Sequence, residues 1–133
     1  MVGILLMSHG ELSKGELNTL ECIVGANENI TVLTLAADDD ITKFEEDMNQ
    51  AIIELNTGDG VLVMVDVLGG TPSNKSAQKL REKDVEVLTG LNLPMLLAAV
   101  EARMHNMSLN DMKKHVIENG QQSIISLREH FEL

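Results

Sequence analysis

Two apolar runs in this chain end on polar groups that could work together. Gly3-Ile4-Leu5-Leu6-Met7 stops at Ser8-His9-Gly10, and Val61-Leu62-Val63-Met64-Val65 stops at Asp66. An imidazole and a carboxylate at the carboxyl ends of neighbouring strands can share a hydrogen bond. The carboxylate then fixes the ring tautomer and leaves the second nitrogen free as a nucleophile. It also offsets the positive charge of a substituted ring.

A third part follows Asp66 closely, the turn Gly69-Gly70-Thr71-Pro72-Ser73-Asn74. Threonine followed by proline is a helix start, with Thr71 expected as the N-cap. Pro72 has no N–H, so the N–H groups of Ser73 and Asn74, with the Thr71 hydroxyl, are the expected donors to an anion there. Gly70, Thr71, Ser73 and Asn74 thus form the expected phosphoryl-binding turn. An imidazole nucleophile, an orienting carboxylate and an anion cradle without a basic residue describe a phosphoryl acceptor that must pass its cargo on. Each part alone has a plainer meaning: a polar strand boundary, a loop cap, a turn into a helix. Their convergence favours chemistry.

The intervening segments must bring these parts together. Ser13-Lys14-Gly15-Glu16 has the capping-box pattern, and Leu17, Leu20 and Val24 continue it at helical spacing. Ile30 to Leu35 is a second strand by its β-branched content. Asp38-Asp39-Asp40 is expected to cap a helix whose face carries Ile41, Phe44, Met48, Ile52 and Leu55. A helix from Thr71 to about Glu82, a strand from Val85 to Thr89, a buried helix from Pro94 and a last helix from Ser108 to about Gly120 follow. Ser123 to Leu127 is expected as a fifth, terminal strand. Strands alternating with helices predict an α/β fold, a doubly wound parallel sheet of order 2-1-3-4 with helices on both faces. In that order the first and third strands are neighbours, and His9 and Asp66 flank the crevice where open α/β sheets bind ligands.

The 133 residues suit one domain, 1–133. Ten basic against 21 acidic residues leave a formal charge of −11, which disfavours nucleic acid and anionic membranes as partners. Cys22 is the only cysteine, which excludes an internal disulfide and a cysteine-based metal cluster. No basic, apolar leader and no membrane-length run is present, so a cytoplasmic location is expected. His105, His115 and His130 fall at no ligand spacing. No metal and no cofactor are expected.

Met7-Ser8-His9-Gly10, the stretch Val65-Asp66-Val67-Leu68-Gly69-Gly70-Thr71-Pro72-Ser73-Asn74, and Gly90-Leu91-Asn92-Leu93-Pro94-Met95-Leu96 resemble a known family over almost the whole chain. It is the enzyme IIA domain of the mannose family of the bacterial phosphoenolpyruvate-dependent sugar phosphotransferase system. The resemblance implies that His9 receives a phosphoryl group from the phosphocarrier HPr and hands it to a IIB subunit. That subunit serves sugar entry through membrane subunits IIC and IID. It implies that Asp66 orients the imidazole and that Thr71 and its helix start hold the phosphoryl. It also implies a homodimer that exchanges an antiparallel C-terminal strand, here Ser123 to Leu127. Leu68 stands where an aromatic residue is frequent in the family, and the chain ends at Leu133 without a IIB domain, so IIB is expected as a separate polypeptide.

Three other classes share parts of this pattern. A phosphoaspartate receiver needs an acidic pair after its first strand, where this chain has Ser8-His9. The phosphocarrier subunit of dihydroxyacetone kinase also uses a strand-one histidine, without the Gly-Gly-Thr-Pro turn. A flavodoxin-like protein-binding module remains as the non-catalytic alternative, although Phe44 and Phe131 are the only aromatics available to hold a flavin. The sugar is not written in these residues.

Overall fold

The computed structural model describes residues 1–133. Its elements are β1 (Gly3–His9), α1 (Leu12–Val24), β2 (Ile30–Leu35), α2 (Ile41–Leu55), β3 (Val61–Val65), α3 (Thr71–Ala77), β4 (Val85–Leu88), α4 (Leu93–Met104), α5 (Leu109–Gln122) and α6 (Leu127–His130). A 3-10 turn, Gln78–Arg81, follows α3. The four strands form one parallel sheet in the order β2-β1-β3-β4.

The near-continuous apolar runs of β1 and β3 are explained by burial on both faces of the sheet. Successive side chains point to opposite faces. Ile4, Leu6, Leu62 and Met64 join Leu20 of α1, Leu96 and Ala99 of α4, and Met112 and Val116 of α5 in one core. Leu5, Met7, Val61, Val63 and Val65 join Phe44, Met48, Ile52 and Leu55 of α2 in the other. Each fully buried Leu or Ile contributes about 1.5–3 kcal/mol by leaving water. On the second face α3 lies beside α2, linked to it by Lys75 Nζ, 2.8 Å from Glu45 Oε2. No helix is long and apolar enough to cross a membrane.

Local signals set most helix starts. Asp40 caps α2, accepting from the Thr42 N–H at 2.9 Å. Asn92 caps α4 through the Met95 N–H at 2.9 Å, and Ser108 caps α5. At the amino end of the sheet, the Arg103 guanidinium of α4 donates to Val2 O, Asn29 O, Glu28 O and Asn27 Oδ1. One side chain thereby ties α4 to the starts of β1 and β2.

Several expected boundaries move. Ser13 does not cap α1: the helix begins at Leu12, and Ser13 is buried within its first turn. Helix α4 starts at Leu93, one residue before Pro94. The helix from Thr71 is α-helical only to Ala77 and tightens into the 3-10 turn.

The expected fifth strand is not formed in this chain. Ser123 closes α5, donating its hydroxyl to Gly120 O at 2.7 Å. Ser126 caps the single turn of α6 by accepting from the Glu129 N–H at 3.4 Å. A strand is stable only where its backbone groups find a neighbouring ladder. Within one copy, residues 123–126 pair with none, and the local serine cap prevails.

Candidate functional site

The site stands where β1 outruns β3. Pairing between these strands ends at Met7 with Val65, while pairing between β1 and β2 continues to His9 with Leu35. On the β3 side the backbone ladder is therefore missing beside His9, and the Asp66 side chain takes its place. Asp66 Oδ2 accepts from the His9 N–H at 2.8 Å and lies 2.8 Å from His9 Nδ1. Asp66 Oδ1 accepts from the Val67 N–H at 2.9 Å.

The carboxylate side chain is 9% exposed and the imidazole 48% exposed. Burial pushes the Asp66 carboxyl up. The hydrogen bonds from the His9 backbone and ring and from Val67 outweigh burial, and the carboxyl is held below its ordinary value. An ionised carboxylate only accepts hydrogen bonds. Nδ1 must then carry the ring proton when the imidazole is neutral, and the Nε2 lone pair is free.

Asp66 is itself held from behind by the β4–α4 loop. The Gly90 N–H donates to Asp66 O at 3.1 Å, and the Leu91 N–H to Val65 O at 3.0 Å. The Gly90-Leu91-Asn92 stretch thus supports the carboxylate before Asn92 opens α4.

On the other side of the ring lies the glycine turn. A Cβ built on Gly70 would stand 3.1 Å from His9 Nε2 and closer still to Cε1, so only glycine lets the backbone approach the imidazole this closely. Gly70, not Thr71, is the N-cap residue of α3, and Thr71 and Pro72 are its first two residues. The Asn74 N–H donates to Gly70 O at 2.9 Å and its side-chain amide to Gly69 O at 3.3 Å. Asn74 therefore closes the turn, and its backbone N–H is not the open donor expected from the sequence. Thr71 and Ser73 keep N–H groups that no acceptor of the chain engages. Ser73 is buried, whereas Thr71 lines a cleft of about 580 Å³ with His9, Gly10, Leu35, Asp39 and Ile41.

The structure thus brings together His9, Asp66, Gly70 and Thr71, leaves Ser73 buried in the first turn of α3 and turns Asn74 to a supporting role. Asp39 was not singled out by its residue type. It lies in an acidic helix-capping run, and its Oδ2 accepts from the Ala36 N–H at 2.7 Å. The signal that finds it is the strand order, because β2 beside β1 places the β2–α2 loop next to His9. The remaining histidines stand elsewhere. His105 ends α4, His115 lies in α5 with Nε2 3.4 Å from Glu101 Oε1, and the His130 ring packs edge-on to Phe131.

The family model described as the fructose IIA component of the phosphotransferase system matches residues 3–117. The chain belongs to the mannose-type IIA family. It is 28% identical over 128 residues, 96% of its length, to the "PTS system mannose-specific EIIAB component" of Escherichia coli, and spans 40% of that relative. It is 28% identical over 133 residues to the "PTS system fructose-specific EIIA component" of Bacillus subtilis, covering 99% of this chain and 90% of that one. Among solved structures, the phosphotransferase system component EIIA of Streptococcus agalactiae superposes with a TM-score of 0.88 at 30% identity, covering 97% of this chain and 99% of the other. The sequence resemblance to this family is thereby established, and with it membership of this mannose-type IIA chain in the phosphotransferase system.

Proposed function

We propose that this chain is a phosphohistidine carrier that accepts a phosphoryl group on His9 from phospho-HPr and passes it to a IIB subunit. The observation that carries this reading is the His9–Asp66 contact at 2.8 Å through Nδ1, with the Cε1–Nε2 edge of the ring against Gly70 and Thr71 on the same cleft. In the first step the Nε2 lone pair attacks the phosphorus of the donor phosphohistidine. The new N–P bond forms as the donor N–P bond breaks, and the donor imidazole leaves with its electron pair. No proton moves at His9, because Nδ1 keeps its hydrogen on Asp66. The substituted ring is cationic, and the adjacent carboxylate stabilises it. Transfer to IIB is the same step with His9 as leaving group.

Thr71 offers its hydroxyl and N–H to the phosphoryl oxygens, with Ser73 behind it. The carboxylate of Asp39 lies on the same cleft, and no lysine or arginine lines it. A dianion that is held by hydrogen bonds rather than by fixed cations is released more readily. Leu12, Ile41, Val67 and Leu68 are exposed around the site, Leu68 at 82%, and give a protein partner apolar surface to cover. The net charge of −11 favours a basic partner surface. In this reading residues 1–133 form one cytoplasmic IIA domain and IIC and IID are indirect partners. A second copy completes the sheet through the C-terminal segment. The transported sugar is set by the membrane subunits.

The test is phosphoryl transfer in vitro with phosphoenolpyruvate, enzyme I and HPr, with HPr omitted in one control. A single acid-labile phosphoryl group that requires HPr and disappears in His9→Ala is expected. No label, or label that persists in His9→Ala, returns the chain to a non-catalytic binding module.

A further inference from the structure

The buried polar side chains of this protein are all serines: Ser8, Ser13, Ser73 and Ser76. Ser76 bonds carbonyls of its own helix, Pro72 O at 2.7 Å and Ser73 O at 3.1 Å, and so constrains nothing beyond that turn. Ser8 and Ser13 behave differently. The Ser13 N–H donates to Ser8 Oγ at 2.9 Å, the Ser8 hydroxyl donates to Ser13 Oγ at 2.8 Å, and the Ser13 hydroxyl donates to Leu33 O at 3.3 Å. This chain of bonds joins the end of β1, the first turn of α1 and β2, and every donor in it is used.

Both residues are fully buried, yet filling those positions does not by itself call for a hydroxyl. An apolar side chain at position 8 would continue the β1 run, and alanine at position 13 is the better helix former. A buried hydroxyl is tolerated because it is satisfied, and what it adds over an apolar contact is direction. Direction is what the end of β1 lacks. Past Met7 the strand has a backbone partner only in β2, through Ser8 with Thr34 and His9 with Leu35. Alternation places Ser8 on the face of α1 and His9 on the face of α2 and α3. Rotation of the strand end about its axis would therefore swing both side chains at once. Asp66 resists that rotation from one face and the Ser8–Ser13 bonds resist it from the other.

We propose that Ser8 and Ser13 are positioning residues for His9, holding the end of β1 so that Nδ1 meets Asp66 while the Cε1–Nε2 edge of the ring stays against Gly70 on the cleft that Thr71 lines. Its kinetic consequence rests on the phosphocarrier reading above; its geometric consequence does not.

The experiment uses the full chain and the variants Ser8→Ala, Ser13→Ala and Ser8→Thr. The populations of the two His9 ring tautomers are read from proton–nitrogen correlation spectra, which need no phosphoryl transfer. Phosphorylation by phospho-HPr is timed on the same samples well below their melting temperatures. Both alanine variants are expected to raise the Nε2–H tautomer and to slow phosphorylation roughly tenfold to a hundredfold, the range a displaced reacting group produces. Ser8→Thr keeps the hydroxyl on a side chain suited to a strand, and is expected to restore both quantities. Wild-type tautomer populations in the folded alanine variants, or Ser8→Thr behaving like Ser8→Ala, would overturn the proposal. Ser13→Cys, with a slightly larger side chain and much weaker hydrogen bonds, carries the same expectation if alanine unfolds the chain. Should the wild type accept no phosphoryl group, the carrier reading fails, and the tautomer populations still decide the positioning role.

Discussion

Asp66 Oδ2 accepts from both the backbone N–H and the ring Nδ1 of His9, each at 2.8 Å. One oxygen therefore fixes the main chain and the side chain of the same residue. Asp66→Asn keeps the shape but presents an amide that can donate toward Nδ1, favouring the tautomer whose Nε2 carries the proton. Phosphorylation of Asp66→Asn is expected to be slower by about 10²–10⁴-fold, measured by rapid quench against phospho-HPr.

The same carboxylate gives a pH dependence of stability. Its pKa is lower in the folded chain than in the unfolded one. Its contribution is therefore complete above the ordinary carboxylate range and is lost as pH falls through the folded value. Denaturant melts of the wild type and Asp66→Asn are expected to differ at neutral pH and to converge in acid.

Gly69 and Gly70 are glycines for different reasons. Gly69 has φ 93 with open space around it, and Gly70 has φ −84 with the His9 ring against it. Gly69→Ala is expected to lower stability by about 1–2 kcal/mol through backbone strain alone. Gly70→Ala is expected to leave the melting temperature nearly unchanged and to slow phosphorylation at least tenfold, because the new methyl group displaces the imidazole. Equal kinetic loss in the two variants would show that ring contact is not what Gly70 provides.

Glu16 sits half-buried on α1, its Oε2 without a hydrogen-bond partner. Burial raises its pKa from 4.5 to about 7. The folded chain therefore holds a proton that the unfolded chain releases, and the penalty grows as pH rises from 4.5 to about 7. Allowing for solvent screening of a half-exposed group, Glu16→Gln is expected to add about 1 kcal/mol, roughly 3 °C of melting temperature, at pH 8. Below pH 4 the gain should vanish. Thermal melts across that range check the sign.

The short β4 leaves an open edge, and a groove of about 430 Å³ between it and α5 is lined by Val87, Leu88, Met95, Ile117 and Ile124. Ile124 on its rim is exposed, as are Leu127, Phe131 and Leu133 beyond it. Sedimentation at micromolar concentration is expected to give a dimer for the full chain and a monomer after removal of residues 123–133. A monomeric full chain would sink the exchanged-strand proposal.

The sheet was legible because each of its signals is local. Short apolar runs, clearest in residues 4–7 and Val61–Val65, alternate with 3.6-periodic segments, and the strand order that parallel crossovers favour brings His9 beside Asp66. What was not legible depended on distant partners. The Ser13 pattern is that of a cap, yet its hydroxyl is claimed by Ser8 and Leu33. Thr71 has the residue type of an N-cap, yet the approach to His9 shifts that position to Gly70. Residues 123–127 have strand composition without a strand beside them in one copy. Asp39 belongs by residue type to an acidic helix-capping run, and only the placing of β2 beside β1 brings it to the His9 cleft.

Arg103 occupies the opposite end of the same sheet from His9. Its four acceptors, Val2 O, Asn29 O, Glu28 O and Asn27 Oδ1, cannot all be reached by a single ammonium, so Arg103→Lys is expected to lose about 1–3 kcal/mol of stability. Phosphorylation per folded molecule should not change, and chemical denaturation beside the transfer assay tests both. At ~3.3 Å per residue, β1 separates this clamp from the imidazole by roughly 20 Å. Substitutions that far apart act additively. The rim around His9 can therefore diverge from one chain to another while the base that holds the strands stays as it is.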